Sequence, residues 1–272
     1  MTSRAPVETC VLNDDAPWNE FDPSAYLDQN YRDLLDVDAE ILSLVRDHFS
    51  DHFSARTDHV ERPILGIDIG AGANLYPALA MLPWCDRITL FERAPRNVGY
   101  LRQQRDSLDP DWDAFWKVLS ERDPYADIDG ERNERFRKTV RVQKGNLFKL
   151  GRRGLLGLRN TQGKWQMGTM FFVAESISTS HDEFREAIEC FMLSLAPGAP
   201  FAAAFMEGSH GYDVGNRHFP ACDVDEAEVR KSLDEFTGEI ETKRLGEVSH
   251  MVRPGHTGII LAYGKRNQGP RS

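Results

Sequence analysis

The chain predicts an α/β fold, a mostly parallel, twisted sheet with helices on both faces, and three stretches carry that prediction. Ile64-Leu-Gly-Ile-Asp-Ile69 is an apolar run that breaks at Gly70-Ala-Gly72. Ile88-Thr-Leu-Phe91 is a second, ending at Glu92 and followed by Pro95, which suits a first helical turn. Gly168–Ala174 and Phe201–Met206 are near-continuous apolar runs with a helical pattern, Asp182–Leu195, between them. Strands that are apolar along their length and alternate with helices belong to a sheet covered on both faces.

The remaining elements follow in chain order. Residues 1–20 carry scattered polar residues with Pro6 and Pro17 and are expected to be flexible unless they fold over a ligand. Tyr26, Leu27, Tyr31, Leu34, Ile41, Leu42, Val45 and Phe49 recur at helical intervals, so residues 21–60 read as a helical cap or lid. The core spans 61–266, opening with strand 64–69, helix 75–82, strand 88–92 and a helix from Pro95. Residues 107–138 form an insertion after this second strand–helix unit, with aromatic Trp112, Phe115 and Trp116 and a polar loop at 123–130. Thr139–Gly145 alternates like a strand, Ala196-Pro-Gly-Ala199 stops the helix before it, and Val224–Phe236 reads as a helix. Glu239–Leu245 and Thr257–Gly264 form a closing antiparallel pair, and 267–272 is a polar tail.

Composition narrows the function. With 272 residues, 40% of them hydrophobic, the chain can bury a full core in one large domain. A net charge of −10 without a basic stripe argues against nucleic acid. The most basic stretch, Arg132–Arg141, is interleaved with Glu and Asn and reads as a solvated helix face. Cys10, Cys85, Cys190 and Cys222 form no CxxC, consistent with reduced thiols. No apolar run approaches the ~18 residues of a membrane span, so a soluble, cytoplasmic protein is expected. His48 and His52 have metal-pair spacing but fall on what should be a helix's polar face; solvated histidines and no metal are expected. Ser178, His181 and Asp182 lack a G-x-S-x-G elbow and do not suggest a hydrolase.

In a doubly wound sheet the ligand sits beyond the carboxyl ends of the strands. The residues there are Asp68–Tyr76, Glu92–Asn97, Asn146 and Leu147, Ala174–Ser176, and Glu207–Tyr212, which should ring one cavity. Gly70 and Gly72 allow close backbone approach, and Glu92 at the next strand end can accept ribose hydroxyls. The third glycine of a G-x-G-x-x-G fingerprint is missing, which disfavours a pyrophosphate and a nicotinamide dehydrogenase. A nucleoside without phosphate fits better, and S-adenosylmethionine is such a ligand. Its sulfonium favours carboxylates and aromatic faces, both of which this chain supplies.

These motifs resemble the class I methyltransferases that comprise nicotinamide N-methyltransferase, phenylethanolamine N-methyltransferase and thioether S-methyltransferase. Phe21-Asp-Pro-Ser-Ala-Tyr26-Leu-Asp-Gln-Asn-Tyr31 is similar to the family's FxPxxYLxxYY segment, which implies that Tyr26 and Tyr31 fold over the cofactor. Asp68-Ile-Gly70-Ala-Gly72-Ala-Asn-Leu-Tyr76 resembles DIGSGPTIY, implying a cofactor contact for Tyr76. Thr89-Leu-Phe-Glu92-Arg-Ala-Pro-Arg-Asn97 resembles TDYSxxN and implies ribose binding by Glu92 with Asn97 nearby. Lys144-Gly-Asn146-Leu147 falls where the family's Asp-Val holds the adenine.

The resemblance implies a Rossmann-like class I methyltransferase fold, S-adenosyl-L-methionine as cofactor and transfer to a nitrogen or sulfur of a small amine, pyridine or thioether, by a monomer or homodimer. Candidate catalytic residues are Glu207, Tyr31 and Glu175, the last of which could instead cap the following helix. Candidate cofactor contacts are Tyr26, Tyr31, Asp68, Gly70, Gly72, Tyr76, Glu92, Asn97, Asn146, Leu147 and Ala174, with Glu207, His210 and Tyr212 towards the acceptor. Two further readings stay open: a cyclase that consumes S-adenosylmethionine, turns its own α-amine on the carbon chain and releases methylthioadenosine, and a non-catalytic nucleoside-binding module.

Overall fold

The computed structural model describes residues 10–55, 63–151, 161–246 and 255–268. Seven strands form one sheet in the order β3-β2-β1-β4-β5-β9-β8: β1 Leu65–Ile69, β2 Arg87–Glu92, β3 Val140–Lys144, β4 Met167–Phe171, β5 Pro200–Glu207, β8 Thr237–Leu245 and β9 Gly258–Arg266. Strands β1 to β5 are parallel, and β9 runs antiparallel between β5 and β8. The class I methyltransferase architecture expected from the sequence is therefore present, including the antiparallel closure. Burial explains the apolar runs, since β4 is buried at every position and β5 at all but its last. Edge strand β8 instead exposes Glu239, Glu241, Lys243 and Arg244 to varying degrees, charges that discourage pairing with another chain.

The chain leaves β1 towards β2 and β3, then returns to place β4 on the other side of β1. This reversal between β1 and β4 opens a crevice at the strands' carboxyl ends. Helices α3 (Tyr76–Met81), α4 (Pro95–Asp106) and α7 (His181–Ser194) follow β1, β2 and β4, and α8 (Glu226–Asp234) precedes β8. Ser180 caps α7 by accepting from Glu183 N at 3.3 Å.

The cap consists of α1 (Pro23–Asn30) and α2 (Asp36–Ser54). Ile41, Leu42, Val45 and Phe49 form the buried stripe of α2, which packs on α3, α5 and β9. Because α2 is covered on more than one side, its histidines are not solvated as expected. His48 Nε2 lies 3.1 Å from the Gly264 carbonyl, and burial pushes its pKa down to about 4. His52 is buried with its ring edge-on to Phe53.

The insertion folds as α5 (Asp113–Leu119) and α6 (Arg132–Thr139) with 3₁₀ turns before each. Trp112, Phe115 and Trp116 are all buried, and Tyr76 stacks on Phe115 at 5.7 Å. The basic stretch on α6 also departs from a purely solvated face. Arg135 donates to the carbonyls of Leu82 and Pro83, both at 3.0 Å, at the end of α3, and Arg132 lies over the Trp116 ring. Residues 1–9 and 269–272 of the expected flexible ends lie outside the described residues.

A hairpin absent from the sequence reading, β6 (Gly211–Val214) and β7 (Arg217–Pro220), follows β5. Its signal was the two-residue Gly215-Asn216 turn between runs carrying Tyr212, Val214 and Phe219.

Candidate active site

A cleft occupies the β1/β4 reversal, lined by residues that follow the carboxyl ends of β1, β2, β3 and β4. Its floor is the bend after β1. Gly70 and Gly72 both have positive φ, 62° and 57°, but their reasons for being glycine differ. A Cβ on Gly70 would lie 2.6 Å from a Val173 methyl, so this position joins the bend to the turn after β4. A Cβ on Gly72 would meet the Gly70 carbonyl at 3.5 Å and Asn97 Nδ2 at 4.0 Å, both ordinary contacts, in a residue that lines the cleft.

Glu92, at the end of β2, is buried and holds this bend. Its Oε2 accepts from Gly72 N at 2.8 Å and its Oε1 from Ala94 N at 2.5 Å. Burial raises its pKa, opposed by those backbone donors. Asn97 and Asn74 also line the cleft, and Asn97 Oδ1 and Asn74 Nδ2 are buried with no partner among the described residues. Unpaired polar atoms at such a place are the mark of a missing polar ligand. A glycine floor, a buried carboxylate and unpaired amides suit a nucleoside with hydroxyl groups.

The walls are aromatic. Tyr26 and Tyr31 line the cleft with ring centroids 5.8 Å apart. Phe172 faces them from the turn after β4 in a left-handed conformation, φ 58°, that costs a bulky residue about 1–3 kcal/mol. This turn ends β4 earlier than the apolar run to Ala174 suggests. Tyr212 from β6 closes another side, its hydroxyl donating to the Ser176 carbonyl at 3.3 Å.

Asn146 and Leu147 line the cleft beyond β3, with Asn146 Oδ1 accepting from Phe148 N at 3.1 Å. Arg93, from the expected Glu92–Asn97 stretch, lines it as well, and so do Asn13, Trp18, Phe172 and Ile177, which the sequence did not mark. Asn13 and Trp18 belong to a strap that had no periodic pattern to mark it.

Several expected site residues lie outside this lining. Asp68 is buried beneath the bend, where its Oδ1 accepts from Thr169 Oγ1 at 2.8 Å and burial pushes its pKa up to about 8. Tyr76 is turned towards α2 and donates to Asp38 Oδ1 at 3.2 Å, so its ring backs Tyr31 and does not reach the cleft. Ala174 and Glu175 are fully buried behind it, and Glu175 Oε1 accepts from Ser176 Oγ at 2.9 Å and Met206 N at 3.2 Å. Ser176 is the member of that turn that faces the cleft. Glu207 sits at the end of β5, where it accepts from Arg244 Nε at 2.6 Å and Thr257 Oγ1 at 2.8 Å. Those partners hold it at the β8–β9 side of the sheet, and His210 beyond it is exposed.

Among the described residues no group of His, Cys, Asp and Glu is placed to hold a metal, and no helix is long and apolar enough to cross a membrane. None of the four cysteines is in a disulfide.

Fold and cleft together define a class I methyltransferase. Among solved structures, the chain is similar to a SAM-dependent methyltransferase from Methanosarcina mazei, with 12% identity, 77% of this chain and 95% of that one covered, and a TM-score of 0.51. The N-methyltransferase NodS from Bradyrhizobium japonicum, in complex with S-adenosylhomocysteine, is similar at 16% identity over 83% of this chain and 86% of that one, with a TM-score of 0.49. None of the curated proteins searched matches the chain. The model of the NNMT/PNMT/TEMT family matches residues 9–266, and the protein belongs to that family. Its cofactor is S-adenosylmethionine.

Proposed function

We propose that the protein transfers the cofactor's methyl group to a nitrogen or sulfur of a small-molecule acceptor. One observation carries this reading: a carboxylate-held glycine bend and the rings of Tyr26, Tyr31, Phe172 and Tyr212 share one cleft. When bound, S-adenosylmethionine supplies an activated methyl on a positively charged sulfur. The chain's own work is to bind, orient and exclude water, because an in-line approach alone can remove much of the barrier. Glu92, Gly72 and Asn97 hold the nucleoside, Asn146 and Leu147 border its base, and Tyr26 and Tyr31 close over it. Aromatic faces also favour the cationic sulfur by about 0.5–2 kcal/mol each.

Glu175 acts as a positioning residue. Its Oε1 accepts from the hydroxyl of Ser176, a residue of the cleft lining, and so fixes how that side chain is turned. The NodS relative and the 1,6-didemethyltoxoflavin N1-methyltransferase relative from Burkholderia thailandensis are N-methyltransferases, the latter solved with its acceptor and S-adenosylhomocysteine. The latter is similar at 13% identity over 85% of this chain and 79% of that one, with a TM-score of 0.47. The test is a screen of amines, pyridines and thioethers with labelled methyl donor and a no-acceptor control. S-adenosylhomocysteine formed only with acceptor supports methyl transfer; methylthioadenosine formed without acceptor would replace it with the cyclase.

A further inference from the structure

We infer that Asn13 reads the adenine base of the cofactor, from a strap that the chain lays across the mouth of the cleft. The strap is fastened at both ends. Val11 N donates to Thr179 Oγ1 and Thr179 N to the Val11 carbonyl, each at 2.9 Å, beside the start of α7. Asp14 pairs with Arg93 at 2.8 Å, on the residue after the ribose-side carboxylate Glu92. Between these anchors Asn13 N donates to Glu183 Oε2 at 2.8 Å, and the Asn13 carbonyl accepts from Trp18 Nε1 at 2.9 Å. Glu183 is the residue that a capping box would bend back onto Ser180; here its carboxylate holds the strap instead.

With its backbone fixed on both sides, Asn13 is 2% exposed and lines the cleft. Its side-chain amide nevertheless makes no hydrogen bond among the described residues, although each neighbouring backbone group has one. An amide on the cleft wall with no protein partner is open to pair with a ligand bound there.

The chemistry of the amide identifies the ligand edge. An Asn side chain presents a carbonyl oxygen and an N–H side by side, which matches the exocyclic amine and adjacent ring nitrogen of adenine. The other amide at this end, Asn146, already spends its Oδ1 on Phe148 N, capping the turn Leu147–Lys149. Trp18 packs against the apolar cluster that contains Leu147 and Ile177, so the strap covers the same end of the cleft as the residues beyond β3. The inference rests on the cofactor and not on the identity of the acceptor.

Calorimetric binding of S-adenosylhomocysteine and of S-inosylhomocysteine, in which the exocyclic amine is replaced by a carbonyl oxygen, tests it with the full chain. Wild type should prefer the adenosine compound. Asn13→Ala should weaken that compound by about 10- to 100-fold and narrow the preference by a similar factor. Asn13→Asp, which keeps the acceptor and loses the donor, should fall between them. Ligand-free melting of Asn13→Ala should match wild type, since the side chain has no protein partner to lose.

Unchanged affinity and preference in Asn13→Ala would overturn the inference. Equal weakening of both ligands would also overturn it, by reducing Asn13 to a structural part of the strap. An intact ligand affinity with a raised KM for methyl acceptor would move Asn13 to the acceptor. Tight, adenine-selective binding without methyl transfer to any acceptor would count against the proposed reaction and not against Asn13.

Discussion

Asp38 offers a direct measure of what it costs to back the cleft with polar groups. It lies on α2, 5% exposed, accepting the Tyr76 hydroxyl, and Tyr76 in turn sits edge-on to Tyr31 in the cleft wall. Burial raises its pKa from 3.8 to about 7, the Tyr76 hydrogen bond opposing the rise. Between those values the folded chain keeps a proton that the unfolded chain has released. Stability from this group is therefore complete below about pH 4 and is lost as the pH climbs through 7. At ~1.36 kcal/mol per pH unit, about 3 kcal/mol should disappear between pH 5 and pH 8. Asp38→Asn keeps an oxygen for Tyr76 and removes the ionisation.

Urea unfolding of both proteins across that range gives the variant-minus-wild-type difference, in which Asp68, raised to about 8 by its own burial, cancels because both proteins carry it. The difference should climb by about 3 kcal/mol and level off above pH 7. A flat difference, or one that falls with pH, would refute the assignment of a buried, protonated Asp38.

Other perturbations separate the parts of the site. Glu92→Ala strands the N–H groups of Gly72 and Ala94 as well as losing the ribose contact, so S-adenosylhomocysteine affinity should drop at least about tenfold by calorimetry, each charged hydrogen bond being worth ~1.5–3 kcal/mol. Gly70→Ala should lower the melting temperature more than Gly72→Ala, because only the former drives a Cβ into Val173, whereas Gly72→Ala should show mainly as weaker cofactor binding; the reverse ranking would contradict the packing described. Glu175→Leu should reduce kcat/KM by about tenfold or more while Glu207→Gln stays within about threefold, since leucine removes the acceptor for the Ser176 hydroxyl and Glu207 lies off the cleft. Equal losses in steady-state kinetics would return Glu207 to the acceptor side.

The scaffold was legible wherever one periodicity decided the matter. Runs such as Phe201–Met206 are apolar throughout because both sheet faces are covered, and their order along the chain implies the parallel topology. The floor of the cleft was legible for a related reason: Gly70, Gly72 and Glu92 sit at fixed offsets from strand ends. Tyr76 and Glu207 show the limit. Both lie at strand or helix ends in sequence, yet the direction each side chain takes is set by a distant partner, Asp38 for one and Arg244 with Thr257 for the other. Asn13 and Trp18 were illegible because a strap held by single hydrogen bonds needs no repeating pattern. Phe172 was hidden too, since its left-handed backbone occurs inside an apolar run that reads as uninterrupted strand.

The cleft lies where three apolar clusters meet, and they differ in origin. Two belong to the opposite faces of the sheet, one holding Tyr31 and the other Leu147 and Val173. The third is small: Phe21, Tyr212, Val214 and Phe219 come from the cap and hairpin, and only Ala94 comes from the sheet's own connections. Phe219 stands at its centre, with ring centroids 5.1 Å from Phe21 and 5.5 Å from both Trp18 and Tyr212, and Arg217 pairs with Glu20 across the same seam at 2.5 Å. The covers are thus bound to one another by buried rings, and to the body by polar contacts such as Tyr212 to Ser176 and Asp14 to Arg93 together with the packing of Trp18 and Tyr26 on the two sheet-face clusters. Burial of rings contributes kilocalories, whereas partly exposed ion pairs contribute about 0–1 kcal/mol. Strap and hairpin, sharing this ring cluster, should move together, and a nucleoside that paired with Asn13 above and Glu92 below, as proposed, would add contacts that hold them down.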